Sequence, residues 1–224
     1  ARRPKALQPP AFEAELGALA SSGLLDELPQ RPGLPRLKVE VLNANLMFTR
    51  QPLLVGHYRS TQLSGAEVVV DELLDGAMGV ALKAGIYPER TGTHAVFRNA
   101  SKGDNPLQMP RPEFAVVVGL GDESELKGNK LLDTVRRGIV AWSRHQSARS
   151  GGAPAQLDLA ATLIGSGGTG ITPGQSAQMI ARAADEANQV LAECGWPLIA
   201  GLTFVELYLD RASEAWRALQ LLAA

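Results

Sequence analysis

The sequence predicts an α/β domain built on a mixed, mostly parallel sheet. Three observations carry this: apolar strand patterns that alternate with amphipathic helical runs, one uninterrupted apolar strand, and glycine-rich turns placed where a strand hands over to a helix. Leu37, Val39 and Val41 alternate with polar residues, the period-two pattern of a half-buried strand. Pro52 to Tyr58 reads as a second strand. From Glu67 to Ala84 the apolar positions Val70, Leu73, Leu74, Ala77, Met78, Ala81 and Leu82 fall on one face, predicting a single helix closed by Gly85. His94 to Arg98 is a short strand, Gly103 to Pro112 a loop, and Phe114-Ala-Val-Val-Val118 a central strand buried on both sides.

A second helix is expected over about Leu126 to Gln146, with Leu132, Val135, Ile139 and Trp142 as its buried stripe. Lys130, Arg136, Arg137 and Arg144 lie on its wet side, where charges are ordinarily solvated. Ser150 to Pro154 is a flexible connection, and Leu157 to Ile164 a strand that runs into Gly165-Ser-Gly-Gly-Thr-Gly170. Thr172-Pro173-Gly174-Gln175 then opens a long helix: threonine caps, proline suits the first turn, and the glutamine completes a capping box. Leu202 to Leu209 is the last strand, and Asp210 caps a closing helix with Trp216 and Leu219.

Ahead of this domain, residues 1–35 read as a proline-rich linker. Two proline clusters, Pro4 to Pro10 and Pro29 to Pro35, flank Ala11 to Leu28, where Phe12, Leu16 and Leu19 recur at helical spacing. The start Ala-Arg-Arg-Pro has no apolar leader behind it, so the chain reads as part of a longer polypeptide. The expected division is a linker over 1–35 and one α/β domain over 36–224.

Net charge is −1, from 22 basic and 23 acidic residues, which gives no electrostatic case for nucleic acid or an anionic membrane. No apolar run approaches a membrane span. One cysteine, Cys194, excludes an internal disulfide and a multi-cysteine metal site, and fits a reducing, cytoplasmic compartment.

Leu54-Val-Gly-His-Tyr58, Asp71 with Leu73 and Leu74, and Val117-Val-Gly-Leu-Gly121 before a helix resemble the N-terminal domain of leucine aminopeptidases. From Leu157 to Leu219, the order strand, glycine-rich loop, proline-capped helix, strand and helix resembles a macro-domain ending. The same order, with Tyr87-Pro88 and Gly92-Thr93, is similar to a module that precedes the caspase-like peptidase in bacterial CHAT-domain proteins. The resemblance implies a macro-like three-layer fold with helices on both faces of the sheet. It also implies a non-catalytic scaffolding or regulatory module of a larger bacterial protein, whose partner is another domain or protein. The aminopeptidase's metal-binding cluster is missing. Asn43-Ala44-Asn45 lies between the first two predicted strands, and His57 to Gly65 holds no glycine cluster of the kind that ADP-ribose-holding macro domains carry.

The second reading is a ligand site. Gly165, Ser166, Gly167, Gly168, Thr169, Gly170 and Thr172 form a strand-to-helix loop whose amides and helix end suit a phosphate of a nucleotide or ADP-ribose-like molecule. The alternative use is a simple turn. Ile171 stands where a P-loop needs lysine, and the acidic residue of a dinucleotide fingerprint is missing. Ser166 lacks a nucleophile elbow, and His57, His94 and His145 all precede it, against the hydrolase order. Cys194 reads as a buried structural thiol, His57 as a hydrogen-bonded edge histidine, and Tyr58 and Tyr87 as core rim. Asp122, Glu123 and Glu125 beside Gly119 and Gly121 suit a helix's positive end and would repel phosphate. No catalytic residue, metal ligand or cofactor is assigned.

Overall fold

The computed structural model describes residue 34 and residues 36–100, 111–150, 156–168 and 170–223. All of the expected linker but residue 34, most of the 103–112 loop, residues 151–154 of the expected connection and Thr169 therefore lie outside the described residues, while Ser150, expected in that connection, closes a helix.

Six strands form one sheet: β1 (Lys38–Asn43), β2 (Leu53–Tyr58), β3 (His94–Arg98), β4 (Phe114–Gly121), β5 (Gln156–Ala161) and β6 (Leu198–Glu206). Their spatial order is β1-β6-β5-β2-β4-β3, parallel throughout except that β3 runs antiparallel to β4 at one edge. Every residue of β4 is buried, as a strand covered on both faces demands.

The alternation of side chains along β2 and β4 divides the core. Leu54, Val116 and Val118 point to helices α3 (Gly128–Ser150), α4 (Pro173–Glu193) and α5 (Leu209–Ala223). Leu53, Val55, Ala115 and Val117 point the other way, to α1 (Ala66–Leu73) and α2 (Ala77–Lys83). This is the three-layer, macro-like architecture.

Some expectations need correction. The single helix over 67–84 is two, because Asp75 and Gly76 both take left-handed backbone angles, with φ of 56° and 83°. Asp71 repairs the break: its Oδ1 accepts from the N–H groups of Met78 and Gly79 at 2.8 and 3.0 Å, capping α2. In the buried stripe of α3, Val135, Ile139 and Trp142 lie as expected, but the first buried leucine is Leu131, with Leu132 only half-buried. The last strand starts at Leu198, four residues before the expected start, because Asn188 of α4 bonds both backbone groups of Ile199 at 2.8 Å and holds it in the sheet. β5 ends at Ala161, since Ile164 leaves the sheet to pack over Gly56. At the head of α4 the capping box of Thr172 and Gln175 is present as predicted.

Candidate functional site

The carboxyl ends of β2, β4, β5 and β6 open on a cleft of about 520 Å³. One wall is the stretch Ser64-Gly65-Ala66 that begins α1, and the facing wall is the turn from Leu163 to Gly167. Gly65 has φ +53° and ψ −122°, angles open to glycine alone, and it leaves the helix start without a side-chain cap. Gly165, at φ +81°, turns the opposite wall. A side chain on Gly167 would meet nothing within 4 Å, so its backbone stands open to the cleft.

Beneath the first wall lies a buried polar cluster. His57 is 1 % exposed and Glu67 is 4 % exposed. The Nδ1 of His57 lies 2.9 Å from Glu67 Oε1, and the Tyr87 hydroxyl donates to the same oxygen at 3.0 Å. The two rings meet edge to face at 4.7 Å. A carboxylate only accepts, so it holds the His57 proton on Nδ1; the other nitrogen, Nε2, has no partner among the described residues. Burial first, then the Glu67 charge, pushes the Tyr87 phenol far above its ordinary range. The cluster ties β2, α1 and the 84–88 segment together under Gly65.

The second wall is held by two ties. A bulge between His57 and Tyr58 shifts the register against β4, and the Tyr58 hydroxyl donates to Gly165 O at 3.1 Å. Burial, then the charge of Glu123, raises the Tyr58 phenol's pKa. Arg211, the one cationic side chain on the cleft wall among the described residues, reaches across from α5: its Nε donates to Glu206 at 3.1 Å and its Nη2 to Ser166 Oγ at 2.7 Å. Tyr208, 62 % exposed, stands at the mouth.

Of the loop residues singled out by spacing, Gly165 and Gly167 line the cleft. Ser166 is buried, with its hydroxyl donated to Leu163 O at 2.5 Å. Gly168 faces Glu123, whose carboxylate would lie 2.4 Å from any added Cβ. Gly170 is exposed, and Thr172 Oγ1 is engaged in capping α4 at 3.2 Å. Asn43 bonds Glu206 O and Leu207 O at 3.0 and 2.9 Å, which ties β1 to the end of β6. Contrary to expectation, Cys194 is exposed at the end of α4, and His57 is in the buried middle of the sheet.

Sequence reasoning missed Gly65, Glu67 and Arg211. A signal existed for the first two: Ser64-Gly-Ala-Glu67 has capping-box spacing, and Glu67 Oε2 does lie 3.5 Å from Ser64 N. Arg211 had none, since Ser166, the turn residue it holds, lies 45 residues away in sequence. Among the described residues no group of three or more His, Cys, Asp and Glu is arranged to hold a metal, and no helix is long and apolar enough to cross a membrane.

The fold is that of macrodomains and of the leucine aminopeptidase N-terminal region. The Trypanosoma brucei macrodomain in complex with ADP-ribose superposes with a TM-score of 0.53 at 14% identity, covering 96% of this chain and 92% of that one. A variant of the Oceanobacillus iheyensis macrodomain with ADPR gives 0.55 at 14% identity, covering 88% and 98%. A variant of tomato leucine aminopeptidase gives 0.53 at 14% identity, covering 88% of this chain but 38% of that one. No family model and no curated protein matches the sequence.

Proposed function

We propose that the strand-end cleft binds a phosphate-bearing, nucleotide-type ligand of the ADP-ribose class. The observation that carries this is the meeting of two glycine-bearing walls, Gly65 at a helix start with no side-chain cap and Gly165 with Gly167 opposite, across one cleft. Backbone amides at such walls approach an anion closely, and the helix start adds positive partial charge. Arg211 supplies the cation, and Tyr208 an exposed ring for a base. Glu123 closes the Gly168 side to anions, so the phosphate-facing part of the glycine loop is Gly165–Gly167. Macrodomain neighbours with bound ADP and ADP-ribose support the ligand class.

In this reading the chain is a binding module that lends a partner its ligand site and performs no reaction itself. A thermal-shift panel of ADP-ribose, NAD, nucleotides and inorganic phosphate tests it. A ligand at 100 times its dissociation constant adds about 2.7 kcal/mol, or roughly 5–10 °C for a chain of this size. Selective stabilisation by one nucleotide-type ligand is the expected result; a flat panel overturns the reading.

A further inference from the structure

The sheet ends at β3, and the outer side of that strand is unpaired among the described residues. Gly119 N–H donates to Thr93 O at 2.9 Å and Asn99 N–H to Glu113 O at 2.8 Å, which fixes the phase of the ladder between β3 and β4. Hydrogen-bonded positions alternate in antiparallel pairing. Ala95 and Phe97 therefore turn their backbone groups toward β4, while His94, Val96 and Arg98 turn theirs outward. No described residue bonds these outward N–H and C=O groups. The side chains of His94 and Val96 lie on the α3 side of the sheet, where a groove of about 680 Å³ runs beside the strand.

Val140, Ala141 and Trp196 give this groove apolar surface, and Arg136, Arg137 and Arg144 stand along it. Asp133 pairs with Arg136 at 2.7 Å and with Arg137 at 2.8 Å. Arg144 is exposed and has no carboxylate partner among the described residues, and none of the described lining residues is acidic. The positive field reaches the strand: burial, then the charge of Arg137, holds the His94 pKa below its ordinary value. A strand added at this edge sends every second side chain over the groove. A glutamate there lays its stem on the apolar surface and its carboxylate against a guanidinium. Charge decides between occupants. A second copy pairing edge to edge about Val96 would set His94 against Arg98 and bring two arginine rims together, which is unfavourable. We propose that the β3 edge takes up an extended acidic segment of a partner protein as an added strand, bonded to the backbone of His94, Val96 and Arg98, with alternate carboxylates on Arg137 and Arg144.

Amide exchange followed by NMR on the intact chain tests the proposal, with a capped peptide of three Glu-Val repeats as the probe. Saturating peptide should slow the amides of His94, Val96 and Arg98 at least tenfold, and those of Ala95 and Phe97, already bonded to β4, far less. A Lys-Val counterpart, and a Glu-Val peptide N-methylated along its backbone, are each expected to bind at least tenfold more weakly. Arg144→Glu should weaken the Glu-Val peptide by a similar factor at an unchanged melting temperature, because that side chain is exposed. If the variant fails to fold, the two control peptides carry the test on the unaltered chain. No binding by the Glu-Val peptide, or binding that leaves the three edge amides unslowed, would overturn the proposal. Equal binding by the lysine peptide would remove the arginines from it, and equal binding by the N-methylated peptide would remove the strand; either overturns it. Slow edge amides without peptide that depend on protein concentration, together with a dimer in sedimentation, would give the edge to a second copy instead.

Discussion

His57 and Glu67 form a buried pair directly under the start of α1, with Nδ1 2.9 Å from Oε1. Because Tyr87 shares that oxygen, removing the carboxylate leaves a ring nitrogen and a phenol buried without partners. Glu67→Ala is expected to cost about 3–5 kcal/mol, and Tyr87→Phe only about 1 kcal/mol, since the latter removes one neutral donor. Urea unfolding of the two variants checks the order; equal losses would show that the cluster does not act through the carboxylate.

The turn opposite depends on Gly56. An added Cβ would lie 2.4 Å from Ile164 Cγ2 and 2.9 Å from Leu120 Cδ1. Gly56→Ala should therefore destabilise by about 1–3 kcal/mol through overpacking, and should weaken ligand binding by displacing the 163–167 turn. Unchanged stability in chemical unfolding would contradict this placement of Ile164.

Arg211 joins Glu206 to Ser166 through charge-assisted hydrogen bonds, which its planar fork can make together and a lysine cannot. Both Arg211→Ala and Arg211→Lys are expected to weaken ADP-ribose binding about tenfold or more, given about 1.5–3 kcal/mol for bonds to a charged group. Full affinity in the lysine variant, measured by calorimetry, would reduce Arg211 to a point charge.

His94 and His145 have pKa values below the ordinary histidine range. Burial is the first cause for each, followed by Arg137 for His94 and by Arg149 and Arg98 for His145. A depressed folded-state pKa means that the unfolded chain binds the proton more readily, so stability rises with pH in the window between the two values. The contribution is complete above the unfolded value near 6.5 and is lost as pH falls through the lower folded values. Proton NMR titration should show both midpoints below 6.5, and melting temperatures should fall from pH 7 toward pH 5. Midpoints at or above 6.5 would contradict the packing around these rings.

The fold was readable because its elements announce themselves locally. The apolar run Phe114–Val118, the Thr172–Gln175 cap and the alternation in β1 each need only neighbours in sequence. The helix break was not readable: Asp75-Gly76 interrupts a continuous apolar stripe, and only the cap from Asp71 makes the break favourable. Half of the candidate site was visible in the glycines after β5. The other half depends on pairs separated by chain, such as Arg211 with Ser166 and Tyr58 with Gly165, which no local pattern encodes.

Calorimetric titration of ADP-ribose into the intact chain and into Gly167→Asp tests the central claim most directly. The open space at Gly167 lets the aspartate fold without a clash while setting a negative charge on the cleft wall. One-site binding to the intact chain, weakened at least tenfold in Gly167→Asp at an unchanged melting temperature, is the predicted result. No binding to the intact chain, or equal affinity in both, would contradict a phosphate held between Gly65 and Gly167.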